Sequence, residues 1–208
     1  MKAKAVLFDL DGVLVDTEGI YTQIWSSINE KFPTGKENFA LAIKGMTLPN
    51  ILSTYFAVAD HNAVVAMLEK SEKTMPYPLF PETMPFLDFL RSNNIPAAIV
   101  TSSNDSKIAR LFSMYPGFRD HFAAVVTDSH VSHGKPDPEG YLLGARLLGT
   151  DIKDCVVIED SINGLIAGRN AGARLVAMAT TNPPELLRPF TNLIADNFDD
   201  SRIRDLFQ

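Results

Sequence analysis

Of the 208 residues only one is a cysteine, Cys155, so no disulfide can form within the chain and a stapled scaffold is excluded. Its setting in Asp154-Cys155-Val156-Val157-Ile158 predicts a thiol buried in a strand, not a reactive one. Histidine is equally sparse. His61, His121, His130 and His133 share no spacing that suits a transition-metal site, and surface loops are the expected place for them. No run of Lys and Arg interrupts a net charge of -6, which argues against nucleic acid as the main partner. No apolar segment approaches the roughly 20 residues that a membrane-spanning helix needs. Met1-Lys2-Ala3-Lys4 is basic enough to open a signal peptide, but Asp9 and Asp11 cut off the apolar run that follows, so a reducing, cytoplasmic setting is expected. What remains is an ordinary globular composition, 46% hydrophobic, with neither internal repeats nor low-complexity tracts.

The most informative stretch is Ala5-Val6-Leu7-Phe8-Asp9-Leu10-Asp11-Gly12-Val13, an uninterrupted apolar run that ends in two carboxylates one residue apart. Such a run suits a parallel strand covered on both faces, and ligands of open α/β sheets bind just beyond such strand ends. Two carboxylates so close repel each other unless a cation lies between them or one takes up a proton. Either arrangement suits phosphoryl transfer, with Asp9 attacking phosphorus while Mg²⁺ screens its charge and Asp11 giving a proton to the leaving oxygen. A solvated Asp-rich turn is the plainer reading of an isolated Asp-x-Asp, so the rest of the chain has to supply the other parts.

After Asp16 the apolar residues recur at helical intervals, with Ile20, Ile24 and Ile28 on one stripe. Further helices are expected over 36–44, 48–57 and 61–73, so that 17–76 is all helical. Pro76-Tyr77-Pro78-Leu79-Phe80-Pro81 then reads as a stiff extended connector. Beyond it strands and helices alternate: strands at 97–100, 123–126, 155–158, 175–178 and 193–195, helices at 84–92, 105–114, 138–148, 161–170 and 184–188. This alternation specifies an α/β fold with a doubly wound parallel sheet, formed by 1–16 and 77–208, carrying a helical cap inserted as 17–76.

Four strand ends or following loops carry polar groups able to meet at one edge of that sheet: Asp9 and Asp11; Thr101 with Ser102 and Ser103; Lys135; and Glu159 with Asp160. Hydroxyls and amides near Thr101 can bind phosphate oxygens, Lys135 can offset charge on phosphate and nucleophile, and Asp160 can complete the oxygen shell of a hard cation.

In this order the motifs resemble those of the haloacid dehalogenase superfamily, in its phosphatase and β-phosphoglucomutase-like branch with a helical cap. Asp9-Leu10-Asp11-Gly12-Val13, Thr101-Ser102-Ser103, Gly134-Lys135-Pro136-Asp137-Pro138 and Ile158-Glu159-Asp160-Ser161 match its four motifs. The resemblance implies a Rossmann-like core in which Asp9 is the nucleophile and Asp11 the general acid and then base. It implies that Thr101, Ser102 and Lys135 bind the transferring phosphoryl group. Mg²⁺ is expected on Asp9, Asp160 and the backbone carbonyl of Asp11, with Glu159 binding it directly or through water. Dehalogenases lack an acid at the second position, so Asp11 points to phosphoryl chemistry. The expected substrate is a small phosphorylated metabolite, such as a sugar or polyol phosphate, for a monomer or weak dimer that needs neither nucleic acid nor membrane.

The rival expectations are a β-phosphoglucomutase-like mutase, a phospho-accepting receiver, and a cap that serves to bind protein. Two departures weigh against the mutase. Tyr21 stands where that family has a proton-handling His, and Leu48 where it has an Arg for the second phosphate, although Lys44 or Lys73 could stand in for the Arg. Among the remaining residues, Thr17 and Asn104 are expected to cap helices and Lys107 to face solvent. Asp137 is expected to cap the helix that follows it, Asn163-Gly164 to support packing beside Asp160, and Trp25, Phe39 and Phe56 to form the core of the cap.

Overall fold

Successive apolar residues in a short strand can all be covered only if both faces of the sheet are packed, so the Ala5–Phe8 strand should lie inside the sheet. The computed structural model, which describes residues 2–208, places it there. The strands are β1 (Ala5–Phe8), β2 (Ala97–Val100), β3 (Ala124–Val126), β4 (Cys155–Glu159), β5 (Arg174–Met178) and β6 (Ile194–Ala195). They form one sheet in the order β3-β2-β1-β4-β5-β6, parallel throughout. The helices are α1 (Glu18–Lys31), α2 (Phe39–Ala42), α3 (Leu48–Tyr55), α4 (His61–Glu72) and α5 (Thr83–Ser92), then α6 (Asp105–Met114), α7 (Glu139–Leu147), α8 (Ile162–Ala171), α9 (Pro184–Leu187) and α10 (Ser201–Asp205).

The two-residue period of a strand sends alternate side chains to opposite layers. From β1, Val6 and Phe8 enter one apolar layer with Phe86 and Leu90 of α5, Leu111 of α6 and Ile203 of α10. Ala5 and Leu7 enter the other, with Tyr141 and Ala145 of α7 and Ala167 of α8. The result is a doubly wound Rossmann-like α/β sheet. Strand order reverses at β1, so the crevice between the ends of β1 and β4 is the place such sheets reserve for ligands.

Helices α1 to α4 pack over a core of their own that holds Trp25, Ile28, Phe39, Ile51, Phe56, Val64 and Leu68. Phe39 sits at its centre, edge-on to Trp25, Tyr55 and Phe56 at centroid distances of 6.0, 5.3 and 5.6 Å. The two chain segments joining these helices to the sheet run side by side: Val15 bridges Leu79, and the Asp16 amide donates to the Pro78 carbonyl at 2.8 Å.

The structure shortens the helix expected over 36–44 to α2. Its beginning is consumed by a loop in which the Thr34 amide and hydroxyl both donate to Asn29 Oδ1, at 3.0 and 2.7 Å, and Asn38 takes a left-handed φ of 51°. Helix α10 has no legible signature in the sequence. It is a single turn whose Asp200 side chain accepts from the Arg202 amide at 3.0 Å, with Ile203 as its buried anchor. His121 departs from the expected surface position, its side chain being only 5% exposed and 3.9 Å from Asp88. Cys155 is fully buried in β4, as expected. Among the described residues no helix is long and apolar enough to cross a membrane.

Candidate active site

The end of β1 delivers Asp9 and the end of β4 delivers Glu159 and Asp160, all three buried and with carboxylate oxygens within 4.8 Å of one another. Three carboxylates packed together out of water need cations or protons to offset their repulsion. Lys135 supplies a cation, its ammonium 2.5 Å from an oxygen of Asp9 and 2.5 Å from an oxygen of Glu159. Burial opposes the charge on Lys135, but Asp9 and Glu159 outweigh it and raise its pKa. Burial likewise pushes the Asp9 carboxyl up to about 8, with Lys135 pulling it down and Glu159 pushing it further up.

Glu159 spends its oxygens on the protein. Oε1 accepts from Lys135 and, at 3.0 Å, from the Tyr141 hydroxyl; Oε2 accepts from the Asp160 amide and from the Ser161 amide and hydroxyl at 2.9–3.0 Å. It thereby sets the position of Lys135 and shapes the loop that presents Asp160. Gly164 makes room for it, since a Cβ there would lie 1.7 Å from Oε1.

Asp160 is the acid left short of partners. Its Oδ2 is buried without a hydrogen bond, and burial, then Glu159, Glu18 and Asp9, hold its carboxyl well above the usual carboxylate range. Gly12, at φ +77°, lacks the Cβ that would lie 2.2 Å from that oxygen. An orphaned carboxylate oxygen facing a cradle free of side chain, with only oxygen donors around it, fits a hard divalent cation such as Mg²⁺.

Asp11 has quite different surroundings. Both its oxygens lie 2.6 Å from the ammonium of Lys107, Ser103 Oγ donates to it at 3.0 Å, and the Thr17 hydroxyl makes a further hydrogen bond to Oδ1. Burial disfavours its charge, yet Lys107 and these hydrogen bonds prevail and hold its pKa below the ordinary value. Two expectations are corrected here. Thr17 makes no side-chain cap to α1, because its hydroxyl is spent on Asp11. Lys107 does not face solvent: it is 4% exposed, with its ammonium 4.3 Å from the centre of the Tyr21 ring. Asn104 does cap α6, its side chain accepting from the Lys107 amide at 2.9 Å, and that cap aims the first turn of the helix at Asp11.

The remaining motif residues lie close by. Thr101, buried at the end of β2, accepts from the Ser103 amide at 3.1 Å. Ser102 turns toward the helical layer and donates to the Gly45 carbonyl at 2.9 Å. Asn163 does the same for the Lys44 carbonyl at 2.8 Å, so it fastens the 44–47 turn to the sheet. Asp137 accepts from the Glu139 amide at 2.9 Å at the start of α7 and makes no ion pair with Lys135.

Helices α1 to α4 roof these groups, leaving a cleft of about 120 Å³. Asp9, Asp11, Thr101, Ser102 and Asp160 line its floor, while Tyr21, Trp25, Lys44, Leu48 and Glu72 line its roof. Lys44 pairs with Glu18, and Lys73 lines a neighbouring cavity instead of this one, so neither takes the place of the Arg absent at Leu48. Sequence reasoning missed Glu18, Glu72 and Tyr141 and misjudged Lys107. No local pattern marks them, since each is a helical residue brought to the site by packing.

A doubly wound parallel sheet with buried carboxylates and a lysine at its switch point, roofed by helices, defines a class of Rossmann-like α/β proteins with a carboxylate-based site. Residues 3–172 match the family model for haloacid dehalogenase-like hydrolases, and the chain belongs to that family. Hexitol phosphatase A of Escherichia coli (strain K12) is 34% identical over 192 residues, covering 89% of this chain and 88% of the relative. Beta-phosphoglucomutase of Bacillus subtilis (strain 168) is 29% identical over 196 residues, covering 86% and 85% respectively. The crystal structure of a hydrolase from Pseudomonas syringae shares the fold with a TM-score of 0.83 at 22% identity, over 99% of this chain and 100% of that one.

Proposed function

We propose that this hydrolase is a Mg²⁺-dependent phosphatase that cleaves a small sugar or polyol phosphate through an aspartyl-phosphate on Asp9. The observation that carries the reading is the contrast between its two neighbouring acids: Asp9 is held by Lys135 among buried carboxylates, whereas Asp11 is held apart by Lys107, Thr17 and Ser103. In the first step an Asp9 oxygen forms a bond to phosphorus, the ester P–O bond breaks, and Asp11 protonates the departing alcohol. In the second, water attacks phosphorus, Asp11 takes its proton, and inorganic phosphate leaves as the Asp9 carboxylate is restored. The contacts of Asp11 favour its ionised form, the base of this second step, so the proton that it passes to the alcohol in the first step enters with a singly protonated phosphate ester.

Lys135 and Thr101, with the loop of Ser102, orient the phosphoryl group. Asp9 and Asp160, with the Asp11 backbone carbonyl, would hold Mg²⁺, and the hydrogen bonds of Glu159 give it the part of positioning Lys135. Bound there, the cation would offset charge between the phosphoryl oxygens and Asp9. Residues 17–76 act as the cap that excludes water and selects the leaving group, a part for which a receiver domain has no use. The lone buried thiol suits a reducing compartment such as the cytoplasm.

Phosphate release from a panel of sugar, polyol, nucleotide and glycolate phosphates tests the reading. Release should require Mg²⁺ and vanish in a folded Asp9→Asn variant. Turnover by that variant, or full activity in demetallated protein, would remove Asp9 or the metal from the mechanism. The mutase alternative makes a separate demand, because its intermediate carries a second phosphate and the roof of the cleft offers Leu48 where a cation is needed. β-Glucose 1-phosphate primed with glucose 1,6-bisphosphate should yield inorganic phosphate and little glucose 6-phosphate. Stoichiometric glucose 6-phosphate without phosphate release would install the mutase.

A further inference from the structure

Glu72 is a carboxylate that the chemistry at Asp9 does not use, yet it is held in place with care. It is the last residue of α4, and its carbonyl accepts from Arg110 Nη1 at 2.6 Å and from the Tyr77 hydroxyl at 3.3 Å. Its side chain is aimed by Tyr21, whose hydroxyl donates to Oε1 at 2.8 Å. The carboxylate thus lines the roof of the cleft, opposite the motif residues, and among the described residues Tyr21 is the side chain that hydrogen-bonds to it. Burial raises its pKa, with the Tyr21 hydrogen bond and Lys107 pulling it back down, and no ion pair is made with it among the described residues.

The charges around the cleft restrict what can lie beneath it. Lys44 and Lys107 are the cations of its lining, and each is bound by a carboxylate, Glu18 and Asp11 respectively. A second anion on the substrate would therefore meet Glu18, Glu72 and Asp128, with no free cation among the described residues of the lining to offset it. A neutral group rich in hydroxyls meets acceptors instead, and a charged acceptor holds a hydroxyl more strongly than a neutral one.

Resting on the phosphatase reading, we propose that Glu72 determines specificity for the leaving group. It accepts hydrogen bonds from the hydroxyls of a neutral, polyhydroxylated alcohol and turns away substrates that carry a second anion. Glu72→Gln is the test, since a glutamine oxygen can still accept from Tyr21 and the clamp on the α4 carbonyl does not involve the side chain. Three probes are compared with Mg²⁺ present: glucitol 6-phosphate, p-nitrophenyl phosphate, which has no hydroxyl to read, and fructose 1,6-bisphosphate. Relative to p-nitrophenyl phosphate, kcat/KM for glucitol 6-phosphate should fall about fivefold through KM, and that for the bisphosphate should rise about fivefold. A uniform change across the three probes would reduce Glu72 to a structural residue, and no change in either ratio would remove it from recognition; both outcomes overturn the proposal. Failure of the wild-type protein to hydrolyse any of the three is a different result, which sinks the phosphatase reading itself.

Discussion

Replacing Gly164 by alanine tests what holds the site together, because local propensity and tertiary packing call for opposite outcomes. Gly164 lies in the first turn of α8, and Gly→Ala inside a helix ordinarily stabilises by about 1 kcal/mol. Here the new Cβ would lie 1.7 Å from Glu159 Oε1, 1.9 Å from Cδ and 2.5 Å from Oε2. The tip of a flexible side chain can usually step aside, but this one is fully buried and accepts from Lys135, Tyr141, the Asp160 amide and both donors of Ser161. At about 1 kcal/mol for each neutral bond and about 2 kcal/mol for the ammonium, complete displacement would cost roughly 6 kcal/mol. A partial shift of α8 would keep some of these bonds, and the gain in helix propensity offsets part of the remainder, so a net loss of about 3 kcal/mol is expected. For a chain of this size that lowers Tm by about 6–12 °C. Lys135 would also lose one of its two anions, and kcat on p-nitrophenyl phosphate should fall by at least about tenfold. Calorimetry and steady-state kinetics on the same preparation read both effects. Gly19→Ala in α1, where a Cβ meets nothing within 4 Å, serves as the control and should leave Tm level or slightly raised. A Gly164→Ala protein as stable and as active as its parent would refute the argument.

Two more substitutions separate the carboxylates. Asp11→Asn should slow hydrolysis of alkyl phosphates much more than that of p-nitrophenyl phosphate, whose leaving group needs little protonation; equal losses, with chemistry rate-limiting, would take the general acid role from Asp11. Lys107→Met should destabilise the fold by about 3 kcal/mol in urea unfolding, because it strands a half-buried carboxylate that lies 2.6 Å from the lost ammonium, and a change below about 0.5 kcal/mol would show that Asp11 needs no such partner.

The sheet is legible in the amino-acid sequence because its determinants are local. A short apolar run rich in β-branched and aromatic residues and closed by turn residues, as in Ala5–Phe8, suits a strand covered on both faces, and the alternation of such runs with helical periods leaves few topologies. The motif residues are legible for a related reason: Asp9, Thr101 and Asp160 are carried on strand ends, and in a parallel sheet those ends share one edge. The core shared by α1 to α4 can be read from the spacing and size of Trp25, Phe39 and Phe56.

What the sequence alone does not determine is the partner each polar side chain takes. Lys107, three residues after a helix cap, is locally identical to a solvated surface lysine, and it is buried only because α6 lies beneath Tyr21 of α1 and against the loop of Asp11. Glu72 ends α4 like many exposed acids at helix ends, until Arg110 and Tyr21 turn it into the cleft. Thr17 abandons an available cap for Asp11, and Gly164 is required by a side chain five residues earlier in the chain. The physical reason is common to all of them. Apolar patterning selects elements through burial summed over many residues, which survives averaging, whereas a buried charge has to find a counter-charge within a few ångströms, and only the packed chain specifies such distances.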